Sequence, residues 1–129
     1  MGYSRLVDEA KKVLGNSYAP YSGVHVAAAI LTDKGNIYTG VNVENSSYGL
    51  TICAERSAVA AMVTAGERKP VAIAIVTDLP EPIPPCGACR QVLAEFNPDL
   101  EVIMHSIVSG ETKRLSLREL FPQPFKLKG

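Results

Sequence analysis

The chain has 129 residues, 47% of them hydrophobic, with 13 lysines and arginines set against 13 aspartates and glutamates. That length supports one domain with its own core, and the apolar share excludes a chain too polar to offset the entropy of ordering its backbone. A formal net charge of +0, with no long block of either sign, disfavours a polynucleotide or an anionic membrane surface as partner.

Residues 3 to 14 place Tyr3, Leu6, Val7, Ala10, Val13 and Leu14 at helical spacing, and Gly15-Asn16 supplies a stop. Charges run through this opening segment, so it reads as neither a secretory signal nor a membrane span, and a cytoplasmic location is the expectation. Val24 to Thr32 is rich in strand formers, residues 33 to 36 read as a turn, and Ile37 to Val43 returns to complete a hairpin. After the polar stretch Glu44 to Gly49, a helix is predicted from near Thr51 to about Ala65, with Gly66 ending it. Ala54, Ala58, Ala61, Met62 and Ala65 mark one apolar face of it, while Ala60 and Val63 make the opposite side apolar as well. A helix apolar all round asks for cover all round, here the sheet on one side and another subunit on the other, so an oligomer is expected. Val71 to Thr77 has the length and composition of a buried strand, a proline-rich loop spans Asp78 to Pro85, and a helix follows from Cys86 to about Phe96. A fourth strand is predicted over Glu101 to Val108 and a short fifth near Lys113 to Leu115, after which Ser116 caps a last short helix to Phe121. The expectation is a single α/β domain over residues 1 to 129: a three-layer αβα sandwich around a five-stranded mixed sheet.

Three cysteines fit poorly with a disulfide framework and well with a reducing compartment, where thiols serve metals or catalysis. Cys86-Gly87-Ala88-Cys89 opens a predicted helix and puts two sulfurs on one face, within reach of one metal ion. The same spacing serves dithiol redox proteins, and a structural zinc ribbon needs a second pair, which this chain lacks. Cys53 remains as a third donor at another helix start, and three sulfurs leave one of zinc's four positions for water. Both helix N-termini favour thiolate over thiol, and Arg56 and Arg90 stand close enough in sequence to offset the accumulated negative charge. Glu55, two residues beyond Cys53, can reach the open position without ligating the metal, which makes it the candidate proton shuttle. Taken singly, a cysteine is more often an inert buried residue and a first-turn glutamate a surface charge complementing the dipole. Taken together, a ligand, one residue, a glutamate and a later P-C-x-x-C form the arrangement of zinc nucleobase deaminases.

Longer motifs point the same way: YAPYS at 18 to 22, TGVNVENSSYG at 39 to 49, TICAERSA at 51 to 58 and PPCGACRQVLAEF at 84 to 96. Over nearly its whole length the chain resembles the cytidine deaminases, in their small cysteine-ligated branch that forms homotetramers. The resemblance implies zinc on Cys53, Cys86 and Cys89, Glu55 as acid and base, and Arg56 hydrogen-bonded to ligand sulfur. It also implies that Asn42 and Glu44 of the N-V-E-N run hold the ribose hydroxyls of a free pyrimidine nucleoside, with Asn45 and Tyr48 beside them. Phe125 matches a C-terminal aromatic that packs on the pyrimidine of a neighbouring subunit. The implied reaction is hydrolysis of cytidine and deoxycytidine to uridine, deoxyuridine and ammonia, a step of pyrimidine salvage. Two positions depart from the pattern, because Val24 stands where relatives carry a pyrimidine-facing Phe, and Ala27 where they carry Gly. Weaker stacking at Val24 leads to the expectation of a wider base pocket that accepts substituents on the exocyclic nitrogen. His25 and His105 receive no catalytic role; His25 reads as an exposed strand residue. Rival readings are a deaminase of another aminopyrimidine nucleoside such as blasticidin S, a dithiol redox protein, and a metal-stapled binding module.

Overall fold

The computed structural model describes residues 3–127. Its elements follow in the order α1 (Ser4–Leu14), β1 (Val26–Thr32), β2 (Ile37–Val41), α2 (Ala54–Thr64), β3 (Pro70–Thr77), α3 (Gly87–Phe96), β4 (Glu101–Ser106), β5 (Thr112–Ser116) and α4 (Leu117–Leu120), with a 3₁₀ turn at Tyr48–Leu50. The strands form one five-stranded sheet in the order β2-β1-β3-β4-β5, in which β3 and β4 are parallel and the other neighbours antiparallel.

Alternation along the central strands decides which helix lies where. Ala27, Ala29, Ala72, Ala74 and Val76 point to one face with Ile103, and there they meet Leu6, Val7, Ala10 and Leu14 of α1. A floor made mostly of alanine methyls lets a helix lie close to the strands. The bulkier Val26, Ile30, Ile73, Ile75, Val102 and Met104 point to the other face, against Ala54, Ala58, Val59 and Met62 of α2 and Leu93 and Ala94 of α3. Residues two apart on a strand share a face, so this is the three-layer sandwich expected of the sequence.

Several boundaries differ from the expectation, each for a local reason. β1 begins at Val26, because the amide of Val24 is taken by the Ser22 hydroxyl at 3.0 Å and that of His25 by Asp78 at 3.0 Å. β2 ends at Val41; beyond it Val43 pairs singly with Ile52, which draws the start of α2 towards the sheet edge. The helix predicted from Thr51 begins at Ala54 with Cys53 as its N-cap residue, and the one predicted from Cys86 begins at Gly87 with Cys86 in that position. β4 stops at Ser106, whose amide turns to the Glu111 carbonyl at 3.0 Å. The Ser116 cap is present as a full capping box, its side chain accepting from the Glu119 amide while Glu119 answers to the Ser116 amide. α2 buries its sheet side, whereas Ala60 is exposed and Ala61 and Val63 are half-buried within the single chain.

Gly40 on β2 sets how closely α2 packs. A Cβ added there would lie 2.4 Å from the Ala58 nitrogen and 2.7 Å from the Ala54 carbonyl oxygen, so strand and helix backbones touch with no room for a side chain.

Candidate active site

α2 and α3 both start at the end of the sheet where β3 and β4 finish, and each opens on a cysteine. Cys53 and Cys86 hold extended backbone (φ −75°, ψ 156° and φ −67°, ψ 170°) with no side-chain cap on the amides that follow. Those unpaired N–H groups favour negative charge on nearby sulfur. The Cys53 and Cys86 sulfurs are 3.9 Å apart, those of Cys86 and Cys89 3.5 Å apart, and all three lie within 4.8 Å of one another. A tetrahedral zinc ion with bonds of about 2.3 Å needs its sulfurs about 3.8 Å apart. The cluster therefore fits zinc in donor softness and in span, and its cysteines carry no disulfide.

The three thiols do not hold their protons equally. The hydrogen bond from Cys89 holds the Cys53 thiol below its ordinary range, and Arg56 adds to the fall. Cys89 is driven the other way, by its bond to Cys53 and then by burial. Arg56 Nη2 donates to the Cys53 sulfur at 3.7 Å and to the Thr51 carbonyl at 3.2 Å, so its charge sits against the cluster. Arg90 departs from the expectation: it donates to the carbonyls of Pro85 at 2.8 Å and Leu120 at 3.0 Å, bracing the backbone behind Cys86. Its five donors suit two carbonyls on different segments, and no sulfur competes for them.

Glu55 is only 5% exposed and lies in the first turn of α2. Burial pushes its carboxyl up to about 7, with charge on Cys53 adding to the rise. A carboxyl that titrates near neutrality both accepts and returns a proton readily.

These groups line a cleft of about 240 Å³. Cys53, Glu55 and Cys86 form its inner end, Val24, Val26, Ile83 and Pro84 an apolar wall, and Ser22, Asn42 and Glu44 a polar one. Asn42 is held firmly: its Oδ1 accepts from Ser17 Oγ and from the Val26 amide at 3.0 Å, and its Nδ2 donates to the Val24 carbonyl at 2.9 Å. Both lone pairs of the amide oxygen are used, leaving one N–H. Glu44 Oε1 accepts the amides of Tyr21 at 3.0 Å and Ser22 at 3.1 Å, and Oε2 accepts from the Ser22 hydroxyl. The bonds from Ser22 hold the Glu44 carboxyl below its ordinary range.

The other sequence candidates lie at or beyond the mouth. Asn45 is engaged in its own turn, its Oδ1 accepting from the Ser47 amide at 2.9 Å. Tyr48 is 76% exposed, stands edge-on to Tyr21 at 6.3 Å, and borders a recess shared with Ser22, Glu44 and Thr51. Phe125 is 70% exposed and does not line this chain's own cleft; its carbonyl accepts from Gln91 at 2.9 Å. His25 is not the strand residue expected but precedes β1, tied to Asp78 through Nδ1 at 2.7 Å, while His105 Nδ1 lies 2.7 Å from the Thr112 hydroxyl. Ser22, Ile83 and Pro84 line the cleft without having been singled out. The place of Ser22 in the YAPYS run was the available signal, whereas a proline-rich loop offers no periodicity from which Ile83 and Pro84 could be read.

Fold and cleft together define an α/β protein with a three-sulfur metal centre at paired helix N-termini and a buried carboxyl beside it. Residues 2–106 match the family model described as the cytidine and deoxycytidylate deaminase zinc-binding region. The chain is 44% identical over 126 residues to a cytidine deaminase of Halalkalibacterium halodurans, covering 97% of this chain and 95% of that one. It is 39% identical over 125 residues to a cytidine deaminase of Mycobacterium tuberculosis, covering 97% and 90%. The crystal structure of cytidine deaminase from Burkholderia pseudomallei superposes with a TM-score of 0.92 at 43% identity, over 97% of this chain and 100% of that one. The chain belongs to the cytidine and deoxycytidylate deaminase family.

Proposed function

We propose that this chain, as one deaminase domain, hydrolyses cytidine and deoxycytidine to uridine and deoxyuridine with release of ammonia. The observation that carries the reading is the convergence of Cys53, Cys86 and Cys89, from two helix starts, beside the buried carboxyl of Glu55. Zinc held by the three sulfurs supplies Lewis-acid activation of water near neutral pH. Glu55 takes the proton that water gives up and delivers it to N3 of the pyrimidine, which makes C4 electrophilic. Water oxygen bonds to C4, the C4–N4 bond breaks, and a proton relayed by Glu55 leaves with the nitrogen as ammonia. Arg56 moderates the charge on Cys53 through its contact with that sulfur.

The polar wall suits a sugar. Asn42 offers its one remaining N–H, and Glu44 Oε2 keeps lone-pair capacity for a ribose hydroxyl. Asn45 and Tyr48 close the mouth around it. Glu44 and Glu55 are the charged side chains of the cleft and no lysine or arginine lines it or the adjoining recess, so an unphosphorylated nucleoside fits and a nucleotide is repelled. The N-V-E-N run seated in the cleft favours plain nucleosides over blasticidin S. Val24 in an aliphatic wall with Val26 and Ile83 supports tolerance for substituents on N4.

The same reading extends to assembly and setting. Ala60 on the open side of α2, and exposed Leu50 and Ile52 near the mouth, support burial against further copies in a homotetramer, with Phe125 of one copy reaching the cleft of another. Unbridged cysteines support a cytoplasmic setting and a role in pyrimidine salvage. Among the described residues no helix is long and apolar enough to cross a membrane.

The test is a panel of cytidine, deoxycytidine, N4-acetylcytidine and cytidine monophosphate, followed by ultraviolet absorbance and ammonia release. Turnover of the first two with little on the monophosphate is expected. A zinc-loaded protein inert to both nucleosides overturns the reading.

A further inference from the structure

The wall of the cleft that carries Ile83 and Pro84 belongs to a loop with little to hold it. Between Asp78 and Cys86 stand Pro80, Pro82, Pro84 and Pro85, none of which has an amide hydrogen to donate. Among the described residues no hydrogen bond is made by residues 80 to 84. Such a segment is stiff, because each proline fixes its own φ and restricts its predecessor, and so its course is set at its two ends. The far end is fixed by Arg90, which holds the Pro85 carbonyl at 2.8 Å, and by the start of α3.

The near end is held by a clasp that the proposed chemistry does not use. Asp78 Oδ1 accepts the His25 amide at 3.0 Å, and Asp78 Oδ2 lies 2.7 Å from His25 Nδ1. A carboxylate oxygen only accepts, so Nδ1 carries the proton in this pair. The Asp78 amide returns a bond to the His25 carbonyl at 3.3 Å, and the Thr77 hydroxyl donates to that carbonyl at 3.2 Å. His25 is itself flanked by cleft residues. Val24 before it and Val26 after it both line the cleft, and both bond the Asn42 side chain.

We propose that His25 and Asp78 are positioning residues, a four-point clasp that sets the distance between the Val24–Val26 wall and the Ile83–Pro84 wall and so fixes the width of the slot that receives the base. The proposal rests on the deaminase reading above. It assigns to His25 a function distinct from general acid or base, since neither ring nitrogen is placed in the cleft lining. The pair is partly open to water, with side-chain exposures of 38% and 30%, so its worth lies in geometry more than in stability. A slot that widens loses contacts made equally with ground state and transition state, which raises KM and spares kcat. Glu55 and Cys53 sit on α2, which the clasp does not touch, and so the chemical step keeps its geometry.

The test uses full-length zinc-loaded protein and steady-state kinetics with cytidine. His25→Ala is expected to raise KM about tenfold with kcat changed less than about threefold, because misplacement of a positioning group on the order of 1 Å costs up to about a hundredfold. His25→Asn restores an N–H near the place of Nδ1 and is expected to recover most of the loss. In a double-mutant cycle, His25→Ala adds little once Asp78→Ala is present. Arg118→Ala, which removes an exposed ion pair with Asp99 away from the cleft, serves as control and is expected to leave KM unchanged. Unchanged KM in His25→Ala overturns the proposal, as does a loss in kcat alone, or a KM loss that His25→Asn fails to recover. Wild-type protein inert to cytidine strikes the deaminase reading instead, so the two failures are told apart.

Discussion

Gly40→Ala is the smallest substitution expected to disable the site without touching it. The added Cβ would lie 2.4 Å from the Ala58 nitrogen, against 3.4 Å for the start of ordinary contact, so strand and helix must part by about 1 Å. All three nearest atoms, the third being the Ser57 carbonyl carbon at 2.7 Å, are backbone, so no flexible side-chain end can yield in their place. The Ala54 carbonyl among them stands between Cys53 and Glu55, and the start of α2 therefore moves with them. Overpacking of this kind costs about 1–3 kcal/mol, equivalent to a fall in melting temperature of roughly 4–12 °C for a domain of this size. Ligand positions tolerate about 0.2 Å and a catalytic group displaced by about 1 Å loses about a hundredfold, so zinc content and kcat both fall. Thermal unfolding, metal content by mass spectrometry and cytidine kinetics read the three effects. Gly15→Ala is the matched control: its Cβ meets nothing within 4 Å at a helical φ of −66°, and it is expected to stabilise by about 0.4–1 kcal/mol. Wild-type melting, zinc content and turnover in Gly40→Ala would refute the close-packing argument and the dependence of the site on it.

Four further outcomes are expected. Glu55→Gln keeps fold and zinc and loses about 10²–10⁴-fold in kcat, measured in single-turnover assays beside metal analysis. Cys53→Ser, Cys86→Ser and Cys89→Ser each lower zinc occupancy and make the melting temperature insensitive to added chelator. Val24→Phe lowers turnover of N4-acetylcytidine relative to cytidine, and an unchanged ratio between the two removes Val24 as the determinant. Glu67 gives an acid-side signature away from the site: the Thr32 hydroxyl lies against its carboxylate, and Tyr38 and Asn36 hydrogen-bond to it, so its carboxyl is held below the usual range. Its stabilising effect is complete above the unfolded carboxylate value of about 4.3 and is lost as pH falls through the depressed folded value. The melting-temperature gap between wild type and Glu67→Gln therefore closes from pH 5 downward, and a gap that widens with acid contradicts the sign.

The sequence was most legible where one physical signal sufficed. The run Val71 to Thr77 is apolar because β3 is buried on both faces, and the alanines of β1 are small because α1 lies over them. Ser116 and Glu119 stand at the spacing of a capping box, and the box is there. The three cysteines and Glu55 were legible because metal chemistry restricts residue type and spacing far more tightly than packing does. Helix starts were read too early, since Thr51 and Ile52 continue the apolar pattern although the Val43 bridge keeps them extended. Arg90 was read as an electrostatic partner of sulfur because sequence proximity cannot tell which way a side chain turns; the carbonyls it holds come from the loop before α3 and from the end of α4. The commitments of Asn42 depend on Ser17, Val24 and Val26 converging from two other segments, which no local pattern encodes.

The site sits where it does because of the way the sheet is threaded. β3 and β4 are parallel, so the connection between them must cross over, and α3 makes that crossing from the carboxyl end of β3. α2 enters β3 from the opposite end of the sheet, and its own start therefore also lies at the carboxyl end of β3. Two helix N-termini meet there as a consequence of topology, each with unpaired amides facing the same space. Open α/β sheets hold ligands outside the carboxyl ends of their strands for this reason. The antiparallel β1 returns at the same end, its Val26 paired with Thr77, and this brings Asn42, Val24 and the His25–Asp78 clasp to the rim. Sulfur from two helices, a carboxyl from one of them and a sugar-facing wall from the hairpin are thus joined by one strand order. A change that alters the seating of α2 on β2, as Gly40→Ala does, must reach the metal centre through that order and through no direct contact.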